Sequence, residues 1–88
     1  MKFPRGAITK AQLRQDRKDG QGIVCAKSGE LIIDLREDIG WYAIPRIPIT
    51  VGGRRTDNCV IVCPKCYREL RQDGTRTITL DELPYFEV

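Results

Sequence analysis

Cys63-Pro64-Lys65-Cys66 constrains this chain more than any other stretch. Two thiols three positions apart, with a proline suited to the first turn of a helix between them, aim at one point in space. A redox dithiol uses the same spacing, but in a βαβ setting that this chain lacks, and the chain has a further cysteine to recruit. The alternative is half of a metal site. Need favours it: 88 residues with 7% aromatic and 31% charged side chains supply a thin core, and domains of this size gain margin from a cross-link or an ion. Without an apolar leader behind Met1, a reducing, cytoplasmic setting is expected, where thiols ligate metal rather than pair. Nothing approaches the length of a membrane span, so no membrane partner is expected.

Cys25 is the distant partner. Cys25-Ala26-Lys27-Ser28-Gly29 has the outline of a zinc knuckle, with Ser28 where a second thiol would stand. A neutral hydroxyl is a poor zinc ligand, so this turn offers one good donor. Cys25, Cys63 and Cys66 then give three sulfurs from a knuckle and a helix start, the arrangement of a treble clef. The fourth ligand is open. Cys59 reaches the ion if residues 59–62 form a helical turn; if they are extended it lies about 13 Å from Cys63 and is a small buried hydrophobe. Ligation by Cys59 is preferred to three cysteines plus another group, or to an incomplete site without metal. No histidine exists to substitute.

The remaining pattern is α+β. Thr9 predicts an N-cap for a basic helix running to about residue 19, stopped by Gly20 and Gly22, after an irregular lead-in containing Pro4 and Gly6. Lys10, Arg14, Arg17 and Lys18 share one face of it, either a stripe that follows phosphates or a solvated surface. Strands are expected at 22–25, 30–35 and 41–47, the last ending or lying at an edge because of Pro45. Residues 49–58 read as a loop, 59–62 as buried apolar chain, and 64–73 as a helix closed by Gly74. A short strand at 75–80, a turn at 81–84 and a loosely packed Tyr85 or Phe86 complete the chain. Trp41 and Tyr42 read as core and rim rather than a base-stacking platform. The chain is one domain, with 1–21 as helix and lead-in and 22–88 as the body. Its net charge of +3 is too small to argue for nucleic acid, so only local clusters count.

One run of residues has a family likeness. Arg46-Ile-Pro-Ile49-Thr-Val-Gly52-Gly53, followed by Asp57-Asn58-Cys-Val-Ile-Val-Cys63-Pro-Lys-Cys66-Tyr67-Arg68, resembles the HNH endonuclease pattern of His-Ile-Pro, a Gly-Gly loop, Asp-Asn, an apolar stretch, Cys-x-x-Cys and a terminal histidine. The likeness extends back to residue 25 if Cys25 and Ser28 are taken as the first knuckle. It implies a small ββα treble-clef domain, zinc-stabilised, here with an added N-terminal helix, and puts Asn58 at the family's central asparagine.

The catalytic positions depart from that pattern. Arg46 stands for the general-base histidine, Pro45 for a frequent metal ligand before it, and Tyr67 for the final histidine. Arginine does not deprotonate, and a protonated phenol is a poor ligand. Asp34 and Asp57 are carboxylates able to hold Mg²⁺, but nothing in their spacing recommends them. The resemblance therefore implies a degenerate, non-catalytic member. What it leaves is a binding surface for DNA or RNA made of Arg46, Arg54, Arg55, Arg68 and Arg71, on the loop and helix that face DNA in this family. The alternatives are a structural or protein-interaction zinc module, and a divalent-metal nuclease with non-standard ligands. No small-molecule substrate is evident.

Overall fold

In the computed structural model, residues 3–16, 22–53, 58–70 and 77–86 are described. At the centre is an antiparallel pair, β1 (Tyr42–Pro45) and β2 (Cys59–Val62), in the register Tyr42↔Val62, Ala43↔Ile61, Ile44↔Val60 and Pro45↔Cys59. Pro45 ends β1, where its missing N–H removes no further ladder bond. Around the pair lie three helices among the described residues: α1 (Arg5–Arg14), the single turn α2 (Ile49–Gly52) and α3 (Pro64–Leu70), with a 3-10 turn at Leu80–Glu82.

All four residues of β2 are buried, so both faces of the ribbon are covered. Strand alternation sorts the side chains. Cys59 and Ile61 face α1, in a cluster with Phe3, Ala7, Ile8, Ala11, Ile32 and Trp41. Val60 and Val62 face the other way, packing with Ile44, Cys25, Cys66, Leu70, Ile78 and Phe86. An isolated hairpin is marginal in water, and two covering layers make this one stable.

The N-terminal helix begins earlier than its sequence signals. Residues 5 and 6 are helical, Pro4 is the N-cap with ψ 152°, and Thr9 lies inside the helix rather than capping it. Tertiary burial overrides the glycine: Phe3 before the cap and Ile8 in the second turn share one cluster, the arrangement of a hydrophobic staple. Ala7 and Ala11 on the same face are small enough to bring α1 close to β2. The helix also ends sooner, at Arg14, because Gln15 and Asp16 turn to meet residues 22–24.

Three expected strands are reduced to less. Residues 22–25 and 30–35 contribute only isolated bridges, Asp16↔Ile23 and Val24↔Leu31; residues 33–35 make no strand pairing among the described residues, and Ile33 is 86% exposed. Residues 77–79 form no strand, although Ile78 is fully buried and its N–H donates to the Arg46 carbonyl at 2.7 Å. Thr79 instead caps the 3-10 turn, its N–H donating to Glu82 Oε2 at 3.0 Å. The tail is anchored more firmly than expected: Phe86 is buried, and the Tyr85 N–H donates to the Ala26 carbonyl at 2.9 Å. Gly74, the expected helix stop, lies outside the described residues.

Candidate metal centre

Two short segments build the centre. The first is the turn after Cys25, closed by Gly29 N–H donating to the Cys25 carbonyl at 2.9 Å. Gly29 adopts φ +73°, and a Cβ there would come within 2.6 Å of the Tyr85 ring, so both backbone and space require glycine. The second is the exit from β2 into α3. Cys63 precedes the helix, Pro64 occupies its first position, and Cys66 follows in the first turn, with Tyr67 N–H donating to the Cys63 carbonyl at 2.9 Å.

These segments bring the sulfurs of Cys25, Cys63 and Cys66 within 4.8 Å of one another, all as free thiols. A tetrahedral ion with metal–sulfur bonds of about 2.3 Å needs sulfurs about 3.8 Å apart, so a small contraction completes the triangle. This is the one group of three or more metal-capable side chains among the described residues. The surroundings also suit a cation. Burial pushes the Cys66 thiol up to about 12, and contacts with Cys63 and Cys25 add to the shift. Burial alone would raise Cys25 too, but the Ser28 hydroxyl and the amides of Ser28, Cys63 and Lys27 together lower it. Amide and hydroxyl donors aimed at sulfur stabilise thiolate, and a bound divalent ion would bring the other two sulfurs to the same form. Three cysteines can therefore hold a metal here.

Cys59 does not join them. Residues 59–62 are extended, and alternation carries the Cys59 side chain to the α1 face, the opposite side of the ribbon from Cys25 and Cys66. The expectation of a fourth ligand from Cys59 is corrected accordingly. Burial pushes its thiol up to about 12, only slightly offset by Arg14. In the native protein Cys59 is expected to resist iodoacetamide at pH 8 and to be alkylated only after unfolding in denaturant, read by peptide mass spectrometry. The sign for stability follows. A thiol whose folded pKa is raised supports the fold fully below its unfolded value near 8.5, and this support drains away as pH climbs toward about 12. Wild type should lose stability faster than Cys59→Ala above about pH 8.5 in denaturant titrations.

Of the five arginines, Arg46 and Arg68 are described; Arg54, Arg55 and Arg71 lie outside the described residues, as do Asp57, Arg17 and Lys18. Arg68 is exposed on α3. Arg46 is half-buried just beyond β1; its backbone N–H donates to the Asn58 carbonyl, and its Nε is buried without a hydrogen-bond partner among the described residues. Arg14 is no free member of a basic stripe: it donates to the Cys59 carbonyl at 3.5 Å and lies 5.4 Å above the Phe86 ring. Asp34 is held by Arg36 at 2.7 Å, whose guanidinium brings its carboxyl down to about 2. Tyr67 stacks on Tyr42 with centroids 4.0 Å apart.

Two buried polar side chains organise the surroundings. Asn58 accepts from the Ile47 N–H at 2.8 Å and donates to the carbonyls of Ile47 and Gly53, clamping the loop between the strands. Gln15 is absent from every motif in the sequence, yet its amide donates to the Ile61 and Val24 carbonyls and accepts from the Ile61 N–H. Its one signal is its place four residues after Ala11, on the apolar face of α1.

No protein-family model, no curated protein and no solved structure matches this chain. No helix among the described residues is long and apolar enough to cross a membrane.

Proposed function

We propose that this chain is a zinc-held, non-catalytic domain of HNH-like treble-clef form that binds the nucleic-acid backbone through its arginines. One observation carries the reading: thiols from a knuckle and from a helix start converge beside an antiparallel strand pair, in the order β1, α2, β2, α3. Zinc is the ion that suits a thiolate set with no histidine and no carboxylate. Asn58 supports the same reading, since it locks the Gly52-Gly53 loop onto the hairpin.

Among the described residues, the positions where the HNH pattern places its histidines hold Arg46 and Tyr67. A guanidinium is not a general base, and a phenol, here on a ring stacked against Tyr42, is a poor metal ligand. Arg46 suits phosphate instead: a planar fork of donors, anchored at the end of β1, matches two phosphate oxygens. Arg68 on α3 extends the charge, with Arg54, Arg55 and Arg71 close to them in sequence.

In a mobility-shift titration, duplex or single-stranded DNA should bind at 50 mM salt and weaken steeply by 200 mM. Arg46→Ala and Arg68→Ala should each lower the salt slope by about one. No affinity at low salt would remove the nucleic-acid half of the proposal. Plasmid incubated with Mg²⁺, Mn²⁺ or Ni²⁺ should stay intact; cleavage surviving stringent purification would restore a nuclease.

A second reading, a protein-interaction module, is favoured by Ile33, Leu35 and Ile39, which are 86%, 65% and 54% exposed on one short stretch. It predicts that replacing the arginines leaves DNA affinity unchanged.

A further inference from the structure

We propose that the fourth position of the metal centre belongs to the Ser28 hydroxyl, giving three sulfurs and one oxygen around the ion. The inference rests on the zinc reading above and makes it specific. The described residues offer three thiols at this place and no fourth, because Cys59 is on the far face of the ribbon. Ser28 occupies the knuckle position from which a second cysteine would ligate.

Its geometry fits that role. The Ser28 N–H donates to Cys25 Sγ at 3.5 Å, which holds residue 28 against the sulfur group. A residue fastened by its backbone to one member of a three-sulfur group brings its hydroxyl to the same turn, as the oxygen donor that the turn offers for the remaining position of a tetrahedral ion. The oxygen is also held in place: Glu30 N–H donates to Ser28 Oγ at 3.2 Å, and the turn is pinned by Gly29 under the Tyr85 ring. Zinc–oxygen bonds of about 2.0–2.2 Å are shorter than zinc–sulfur bonds of about 2.3 Å, so an oxygen donor would be told from a fourth sulfur by its bond length.

The chemistry differs from a closed four-thiolate site. Zinc with three thiolates and a neutral hydroxyl carries a charge of about −1 rather than −2, and the hydroxyl is the weakest and most exchangeable donor. The ion is then held less tightly than a four-thiolate framework would hold it, and a single substitution at residue 28 tunes the grip.

The test uses the full chain loaded with zinc, read by X-ray absorption at the zinc edge and by competition with a chromophoric chelator. Wild type should show three sulfurs and one oxygen. Ser28→Cys should convert this to four sulfurs and bind at least about tenfold more tightly. Ser28→Ala should keep three sulfurs and weaken binding by about ten- to a hundredfold, and Cys59→Ala should match wild type. Four sulfurs in wild type would overturn the assignment, as would unchanged affinity in Ser28→Ala, which would hand the position to water. The Ser28 assignment then fails while zinc binding stands. Absence of zinc uptake by wild type would instead remove the metal reading itself and this assignment with it. If Ser28→Ala does not fold, the wild-type and Ser28→Cys spectra still decide.

Discussion

Cys66→Ser should abolish cooperative unfolding, leaving a chain without fixed aromatic circular dichroism at 25 °C, and a strong chelator should do the same to the unmutated protein. The magnitudes make this the largest effect expected. A domain of this length has roughly 4–13 kcal/mol of stability, whereas a structural zinc contributes about 10–16 kcal/mol in small zinc domains. The local structure points the same way. Cys25, Cys66 and the strand residues Val60 and Val62 share one core, so an ion held there would link the turn, the helix and the strand pair at once. The serine removes both a thiolate and a buried apolar group; the chelator removes the ion alone. Agreement between the two treatments assigns the loss to the metal, and a chelator without effect on the melting curve would refute its structural role. Acid should release the ion, because protons compete for sulfurs and the Cys66 thiol binds its proton tightly when no metal is present.

Gln15→Met should destabilise the fold by about 2–4 kcal/mol with the metal still bound. Methionine keeps the volume and the apolar stem but deprives three backbone groups of their partner: Ile61 N–H, Ile61 C=O and Val24 C=O. Each buried group left unsatisfied costs about 1–3 kcal/mol. The total stays below the simple sum because the Ile61 carbonyl also accepts from Ala26 N–H at 3.1 Å. Gln15→Glu gives an independent check. At neutral pH its carboxylate accepts from Ile61 N–H but meets two carbonyls with no proton to offer; protonation restores one donor. Its deficit relative to wild type should therefore shrink as pH falls. A Gln15→Met chain with an unchanged urea midpoint would show that these bonds have no net worth.

How much of this was legible from residues alone depends on whether a local signal existed. Cys63 and Cys66 announce themselves through spacing and the proline between them, and Cys25 through the small residues of its turn; the structure brings all three together. Trp41 in the core followed from its size and apolar neighbours. Cys59 was not decidable, because Cys-Val-Ile-Val has no polar alternation to reveal its conformation; both faces of β2 are buried. The start of α1 was hidden by Pro4 and Gly6, whose local preferences yield to the packing of Phe3 and Ile8 on a strand fifty residues away. Gln15 meets Ile61 across 46 positions, a distance over which no periodicity speaks. Residues 30–35 had strand chemistry but found only a single bridge among the described residues.

The ribbon draws much of its two coverings from opposite directions along the chain: Phe3, Ala7, Ile8 and Ala11 settle on one side, while Leu70, Ile78, Leu83 and Phe86 settle on the other. Neither half of the polypeptide can therefore finish alone, and most of the search must be completed before any of its rewards arrive. Folding should be slow for so small a protein and should appear as one exponential phase, with loop closure rather than helix formation setting its rate.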